Sequence, residues 1–288
     1  MMEPLEAAQE AALITRPEMF GYLVLQEYQD WRVWLSEKKG GHYYYIEQPD
    51  AIGAPLLYPS VTTCLSVLDK SQGLMRWAGK EAARYMADQV EQANAKPDRE
   101  LLEQWIKAAV KAADKEKEEA GKAGTAAHLS VQLALLGTRV ADDDYKNAVE
   151  AALQYLDIYK LNPLAAEVVT FHPKFHSPGS IDLVAETEAG DLVIVDWKRS
   201  KALYPEYRYQ VAAYAGNVEA MTGKEVVGCY VFRLPRDGWG MDLTAPENVI
   251  AVTDWKADLD VYRKAQSLYY SLHLDRLKAM QTAQSVSE

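Results

Sequence analysis

The apolar residues change their spacing part-way along the chain. From residue 165 they come in short runs, AEVVTFH, SIDLVAE and DLVIVDW, punctuated by Pro and Gly, which predicts three strands. EVVGCYVFRL predicts another, and NVIAV a shorter one before a long amphipathic helix over 254–282. Between them, YPEYRYQVAAYAGNVEAMTG places Pro205 in a first turn and Gly223 at an exit, so it reads as a helix. Upstream, helical patterns cover 74–93, 98–136 and 143–160, with a break expected near AGKAGT. YPSVTTCLSVL begins a helix with Ser60 as N-cap after Pro59. The stretch 22–57 is rich in Tyr, Val and Trp, with Gly40-Gly41 ahead of HYYYIEQ, and predicts an antiparallel β-meander; 1–20 reads as a flexible N-terminal segment. No repeat or low-complexity linker intervenes. The expectation is one α/β domain over 1–288: the meander, a helical region over 58–160, a core over 165–252 and the C-terminal helix.

Composition narrows the setting. At 288 residues and 49% hydrophobic, the chain has enough apolar material for a sizeable core. No apolar run approaches the roughly 18 residues of a membrane span. The acidic start lacks the basic or Arg-rich pattern of a targeting peptide, so a cytoplasmic protein with no membrane partner is expected. Cys64 and Cys229 form no C-x-x-C and read as small buried hydrophobes in a reducing compartment. A net charge of −11 argues against a generic nucleic-acid coat protein, but an acidic metal site beside a local basic groove fits it.

The tripeptide Asp-x-Lys occurs three times, at Asp144, Asp196 and Asp254. Asp144 and Asp254 each stand at the acidic start of a helix, where a carboxylate caps the helix or faces its dipole, with Lys256 toward solvent. Asp196 differs. It ends LVIVDWK, a strand apolar enough to be buried on both faces, where a carboxylate needs compensation. Alternation puts Lys198 on the same face. The preceding run holds a second acid, Asp182, in GSIDLVA. If Glu188–Gly190 form a three-residue loop with Gly190 left-handed, Asp182 lies opposite Asp196; a two-residue loop would put them on opposite faces. The first is expected, because two acids on opposite faces would each need their own compensation. Two close carboxylates require a shared proton, a lysine or a divalent cation between them. Hard oxygen donors suit Mg²⁺ or Mn²⁺, and a metal beside a lysine suits phosphoryl chemistry. A buried structural ion pair is the alternative.

These residues carry a resemblance. GTAAH (124–128), Glu167 in AAEVVTF, GSIDLV (179–184), VDWK (195–198) and QVAAY (210–214) resemble, in this order, the core of the PD-(D/E)XK nuclease superfamily. The likeness is greatest to its RecB-like branch, which includes phage exonucleases and the mitochondrial genome maintenance exonuclease, and YPSVTTCLSVLD is similar to a segment of those members. The resemblance implies a restriction-endonuclease-like core, a central mixed sheet flanked by helices. It implies Asp182, Asp196 and the Trp197 carbonyl as metal ligands, with His128 and Glu167 added, and Lys198 as the catalytic lysine. Gln210 and Tyr214 match a Q-x-x-x-Y motif facing the site and the nucleic acid; at i and i+4 they share one helix face. Two departures stand out: Arg199 replaces the usual Thr, and the four cysteines of the iron–sulfur members are missing, so no cluster is expected.

Other features read plainly. His172 and His176 are not expected to ligate, since Pro173 and the strand context spoil a helical pair. GLMRWAGKE (73–81) departs from a phosphate loop in its spacing and in the Glu after Lys80, so no ATP use is expected. Arg199, Lys201 and Arg208 lie among Tyr204, Tyr207 and Tyr209, a mixture suited to a nucleic-acid strand or to a solvated helix start. The expected function is a metal-dependent DNase, exonucleolytic on single-stranded or end-processed DNA, in phage or bacterial recombination or repair beside a recombination or replication partner. The alternatives are an inactive nucleic-acid-binding relative, or an endonuclease or RNA-directed enzyme with the same site. Helices over 74–136 are expected to restrict access to the active site.

Overall fold

A computed structural model describes residues 28, 30–36, 42–49, 55–68, 71–93, 96–137, 143–236 and 240–282. The N-terminal 1–20 and the Gly40-Gly41 turn lie outside the described residues. The chain folds as two compact units: Met1–Val67 with Ala127–Glu288, and Leu68–Ala126.

In the first unit, β1 (Arg32–Leu35), β2 (Tyr43–Glu47) and β3 (Leu56–Pro59) form the expected meander, antiparallel in the order β1-β2-β3. Ser60 then caps α1 (Val61–Cys64), its hydroxyl accepting from the Thr63 N–H at 3.0 Å. This helix is shorter than expected and passes into a 3₁₀ turn over Leu65–Val67. The second unit holds α2 (Ser71–Gln92) and most of α3 (Arg99–Leu135). Asp98 caps α3, accepting from the Leu101 N–H at 2.8 Å. No break occurs at AGKAGT. The segment is Ala-rich, and the pair Glu118–Lys122 bridges one turn of it at 2.7 Å.

The first unit continues with α4 (Lys146–Ile158), β4 (Asn162–Thr170), β5 (Gly179–Glu186) and β6 (Leu192–Lys198). It closes with α5 (Glu206–Thr222), β7 (Val226–Arg233), β8 (Val249–Val252) and α6 (Trp255–Thr282). The strands form one sheet in the order β4-β5-β6-β7-β8, parallel at β6–β7, where α5 makes the crossover, and antiparallel elsewhere. This is an α/β fold with a mixed sheet flanked by helices, consistent with the restriction-endonuclease-like architecture. β4 begins earlier than its apolar run because Asn162 and Pro163 pair with Glu186 and Ala185, contacts that local pattern does not reveal.

Alternate residues of β5 and β6 serve different faces. Leu183, Ala185, Val193, Val195 and Trp197 join Ala148, Ala151, Ala152 and Tyr155 of α4 in one buried cluster. The Tyr155 hydroxyl is satisfied there by the carbonyls of Arg233 and Asn248 at 3.1 and 3.3 Å. The other face meets α5, which is buried almost continuously from Gln210 to Val218 and therefore lacks a polar stripe. Its exit is Gly223, left-handed at φ 65°, whose N–H reaches the Glu219 carbonyl at 2.9 Å. Cys64 and Cys229 are buried free thiols, pushed upward by that burial.

Candidate active site

The β5–β6 loop fixes the site. Gly190 is left-handed at φ 82°, its N–H donates to the Thr187 carbonyl, and the Thr187 N–H donates to the Asp191 carbonyl, each at 2.9 Å. Glu188–Gly190 thus form the three-residue loop, and the register Leu183↔Val195 to Glu186↔Leu192 brings Asp182 opposite Asp196 on the α5 face. The paired ladder ends at Leu183–Val195. Beyond it the Trp197 N–H donates to Asp182 Oδ2 at 2.7 Å, a charge-assisted bond in place of a backbone one.

Asp196 is 1% exposed. Its Oδ1 accepts from Gln210 Nε2 at 2.9 Å. Its Oδ2 faces Lys198 Nζ at 2.7 Å as an ion pair, without hydrogen-bond alignment. Gln210 Nε2 also reaches the Tyr214 hydroxyl at 3.1 Å, so both members of the Q-x-x-x-Y face point into this network. Lys198 Nζ lies 5.0 Å from the centre of the Tyr207 ring.

The second carboxylate group gathers around Asp182. His128, near the end of α3, sets Nδ1 3.3 Å from Asp182 Oδ1. Glu167 lies within β4 rather than at its start, with a left-handed φ of 52° that a β-strand side chain rarely adopts. The Ser180 hydroxyl donates to its Oε2 at 3.3 Å. One ligand atom each of His128, Glu167 and Asp182 lie within 4.8 Å of one another.

Burial opposes charge on His128, but the Asp182 and Glu167 carboxylates prevail and raise it to about 9. Burial, then the Asp182 charge, pushes Glu167 up to about 8. Burial also raises Asp196, to about 6, against the pull of Lys198. Asp182 goes the other way: His128, Lys198 and the Trp197 N–H outweigh burial and hold it below its usual value. Lys198 remains a cation, because Asp196 and Asp182 outweigh its desolvation. The two facing acids therefore differ in charge affinity: burial prevails at Asp196, whereas the cations and the Trp197 N–H prevail at Asp182.

The remaining expected residues lie in other settings. The Trp197 side chain packs on the α4 face, stacked on Phe232 at 5.6 Å. Arg199 donates to the Arg236 carbonyl at 2.6 Å and its guanidinium lies over Tyr145 at 5.5 Å. Arg208 pairs with Asp258 at 3.0 Å, and Lys201 is exposed. His172 Nδ1 accepts from the N–H groups of Lys174 and Phe175 at 3.2 and 3.3 Å, and His176 stacks on Tyr58. The other Asp-Trp-Lys is a helix start: Asp254 and Lys256 are exposed, while Trp255 is buried and donates to the Val226 carbonyl at 2.8 Å.

Sequence reasoning passed over three neighbours. Ser180 holds Glu167. Gly179 is needed for close approach, since a Cβ there would meet Tyr214 Cε1 at 2.6 Å. Tyr44 of β2 is buried and raised to about 12 by burial and then by the Glu167 charge. Gly179 was signalled by GSIDLV; Tyr44 had no local signal, because the meander meets β4 only in three dimensions.

A family model of the PD-(D/E)XK nuclease superfamily matches residues 72–286. The chain belongs to the PD-(D/E)XK nuclease superfamily. No curated protein matches it. PD-(D/E)XK membership implies phosphodiester-cleaving nuclease activity on DNA with a divalent metal. The residues fit such an ion. An imidazole and two carboxylates converge, and the buried Asp196 Oδ2 is left with Lys198 as its partner. No helix among the described residues is long and apolar enough to cross a membrane.

Proposed function

We propose that this PD-(D/E)XK protein is a Mg²⁺- or Mn²⁺-dependent deoxyribonuclease of the RecB-like branch. It acts as an exonuclease on single-stranded or end-processed DNA in phage or bacterial recombination or repair. One observation carries the reading: Asp182, Asp196 and Lys198 share the face of β5–β6 that Gln210 and Tyr214 also meet. His128, Glu167, Asp182 and Asp196, with the Trp197 carbonyl, would hold the metal, which supplies an activated water and polarises the phosphate. Asp182 is fixed between the Trp197 N–H and His128, so its carboxylate is oriented before substrate arrives. Lys198, held cationic, stabilises charge developing on the non-bridging phosphate oxygens. Gln210 ties Asp196 to Tyr214 and keeps the carboxylate and the aromatic wall in one arrangement.

The test is degradation of 5′- and 3′-labelled single and double strands in Mg²⁺ and Mn²⁺, with circular single-stranded DNA and RNA alongside and Asp196→Ala as control. Mononucleotide release from ends, sparing of the circle and of RNA, and loss in the variant are expected. Wild type and variant equally inert in both metals would sink the nuclease reading; efficient cleavage of the circle would sink the exonuclease one.

A further inference from the structure

The Q-x-x-x-Y face of α5 extends one turn further toward the helix start. Tyr207, Gln210 and Tyr214 stand at i, i+3 and i+7, so they form one stripe along the helix. Gln210 reaches Asp196 Oδ1 and the Tyr214 hydroxyl, and Tyr207 meets the neighbouring lysine. Its ring centre lies 5.0 Å from Lys198 Nζ, within the range in which an aromatic face attracts an ammonium. Asp196 and Lys198, at the end of β6, are thus each met by the same helix stripe.

The surroundings hold this ring and this lysine in fixed relation. The Lys198 carbonyl accepts from the Leu234 N–H at 2.9 Å, extending the β6–β7 ladder. In the loop that follows, the Lys201 carbonyl accepts from Arg233 Nη1 and the Ala202 carbonyl from the Ser200 hydroxyl, each at 2.6 Å. The Tyr207 N–H then donates to the Tyr204 carbonyl at 3.1 Å. The Tyr204 ring stands edge-on to that of Tyr207, at 5.7 Å and 79°, a favoured geometry for an aromatic pair. Tyr204 is 44% exposed, whereas Tyr207 is half-buried and the Lys198 side chain is only 18% exposed. The outer ring therefore buttresses the inner one, and the inner one lies against the lysine.

A lysine carries a compact charge on a flexible stem and has many rotamers to lose. Asp196 draws Nζ to 2.7 Å, but it also offsets the charge, and the same carboxylate is among the proposed metal ligands. An aromatic face attracts the ammonium without carrying a net negative charge. It fixes direction and leaves the full cation for phosphate oxygens, as preorganised stabilisation requires.

We propose that Tyr207 is a positioning residue for Lys198, its ring holding the ammonium toward the scissile phosphate. The proposal rests on the nuclease reading above and adds to it the residue that aims the lysine. Tyr204 acts one step further out, by keeping the Tyr207 ring from turning.

The test compares Tyr207→Leu and Tyr207→Phe, each alone and combined with Lys198→Met, in single-turnover cleavage over a range of DNA concentrations. Tyr207→Leu should lower the saturating rate about tenfold or more, as a misplaced group does, with little change in the half-saturating DNA concentration. Tyr207→Phe keeps the ring and should lose no more than about threefold. Combined with Lys198→Met, Tyr207→Leu should cause no further loss, because the group it aims is gone. Denaturant unfolding without metal gives a readout apart from activity: Tyr207→Leu should lower the midpoint less on Lys198→Met than on wild type. A rate loss that repeats in full on Lys198→Met overturns the proposal, since it marks a structural or base-stacking role. A change confined to the half-saturating concentration overturns it too, by assigning the ring to DNA binding. Equal losses in Tyr207→Leu and Tyr207→Phe do the same, by assigning the effect to the hydroxyl. A wild type inert in Mg²⁺ and Mn²⁺ is a failure of the nuclease reading, seen without any substitution. The unfolding cycle still reads the contact in that case, and equal midpoint shifts on both backgrounds overturn it independently.

Discussion

Lys198 sits 2.7 Å from a carboxylate that is 1% exposed, so it serves both the folded state and the proposed reaction. Lys198→Met should lower single-turnover cleavage by about 10²-fold or more, since it removes a preorganised cation from the developing phosphate charge. It also strands a buried Asp196. Metal-free stability should fall by about 3 kcal/mol in denaturant unfolding and recover when Mg²⁺ is added; a variant as stable as wild type without metal would contradict this account of the pair. The pH dependence follows from Glu167 and His128, raised to about 8 and about 9. Both groups bind protons more tightly folded than unfolded, so their contribution is complete at low pH and disappears as pH rises through those values. Between pH 7 and 9 the metal-free protein should therefore lose thermal stability. Divalent-metal affinity should rise over the same interval, because the ion displaces those protons. Calorimetry in buffers of differing ionisation enthalpy measures the release; none would remove these two residues from the ligand set.

At the scale of elements, the α5–β5 contact is the tightest constraint around the site. Gly179 opens β5 directly against Tyr214 of α5, at a distance no side chain tolerates. Gly179→Ala should push the Tyr214 ring aside, disturb Gln210 and cost about 1–3 kcal/mol of stability. Activity should fall together with stability. Adding Tyr214→Ala should restore most of the stability while activity stays low, a coupling read from a double-mutant cycle. Additive losses would show that the two residues do not press on each other. The Asp182–Asp196 facing was legible at this scale because strand alternation and a Gly-bearing loop leave only two registers, of which one shares the compensation of both acids. The extent of β4 was not, because Asn162 and Pro163 become strand only through pairing with β5. The unbroken α3 was missed for a related reason: two glycines weaken a helix without ending it when the residues around them favour it.

For the whole molecule, a net charge of −11 opposes binding of a polyanion, and the concentrated carboxylates at the site oppose it most. DNA affinity should thus depend on the metal. With Lys198→Met to slow cleavage, fluorescence anisotropy should show binding on the order of tenfold tighter in Mg²⁺ than in EDTA; equal affinity would place the substrate away from these acids. By itself, the sequence determined the order of strands and helices, the β5–β6 register and the face shared by Gln210 and Tyr214, because periodicity and turn chemistry act over a few residues. The family resemblance named His128 and Glu167, but only the tertiary structure decided how residues from distant segments meet around Asp182. His128 from α3, Glu167 with its left-handed backbone and Tyr44 from the meander meet Asp182 and its neighbours through packing across the chain. It also decided that Arg199 and Arg208 are engaged within the protein, by the Arg236 carbonyl and by Asp258. Those pairings join residues tens of positions apart, and no local spacing records them.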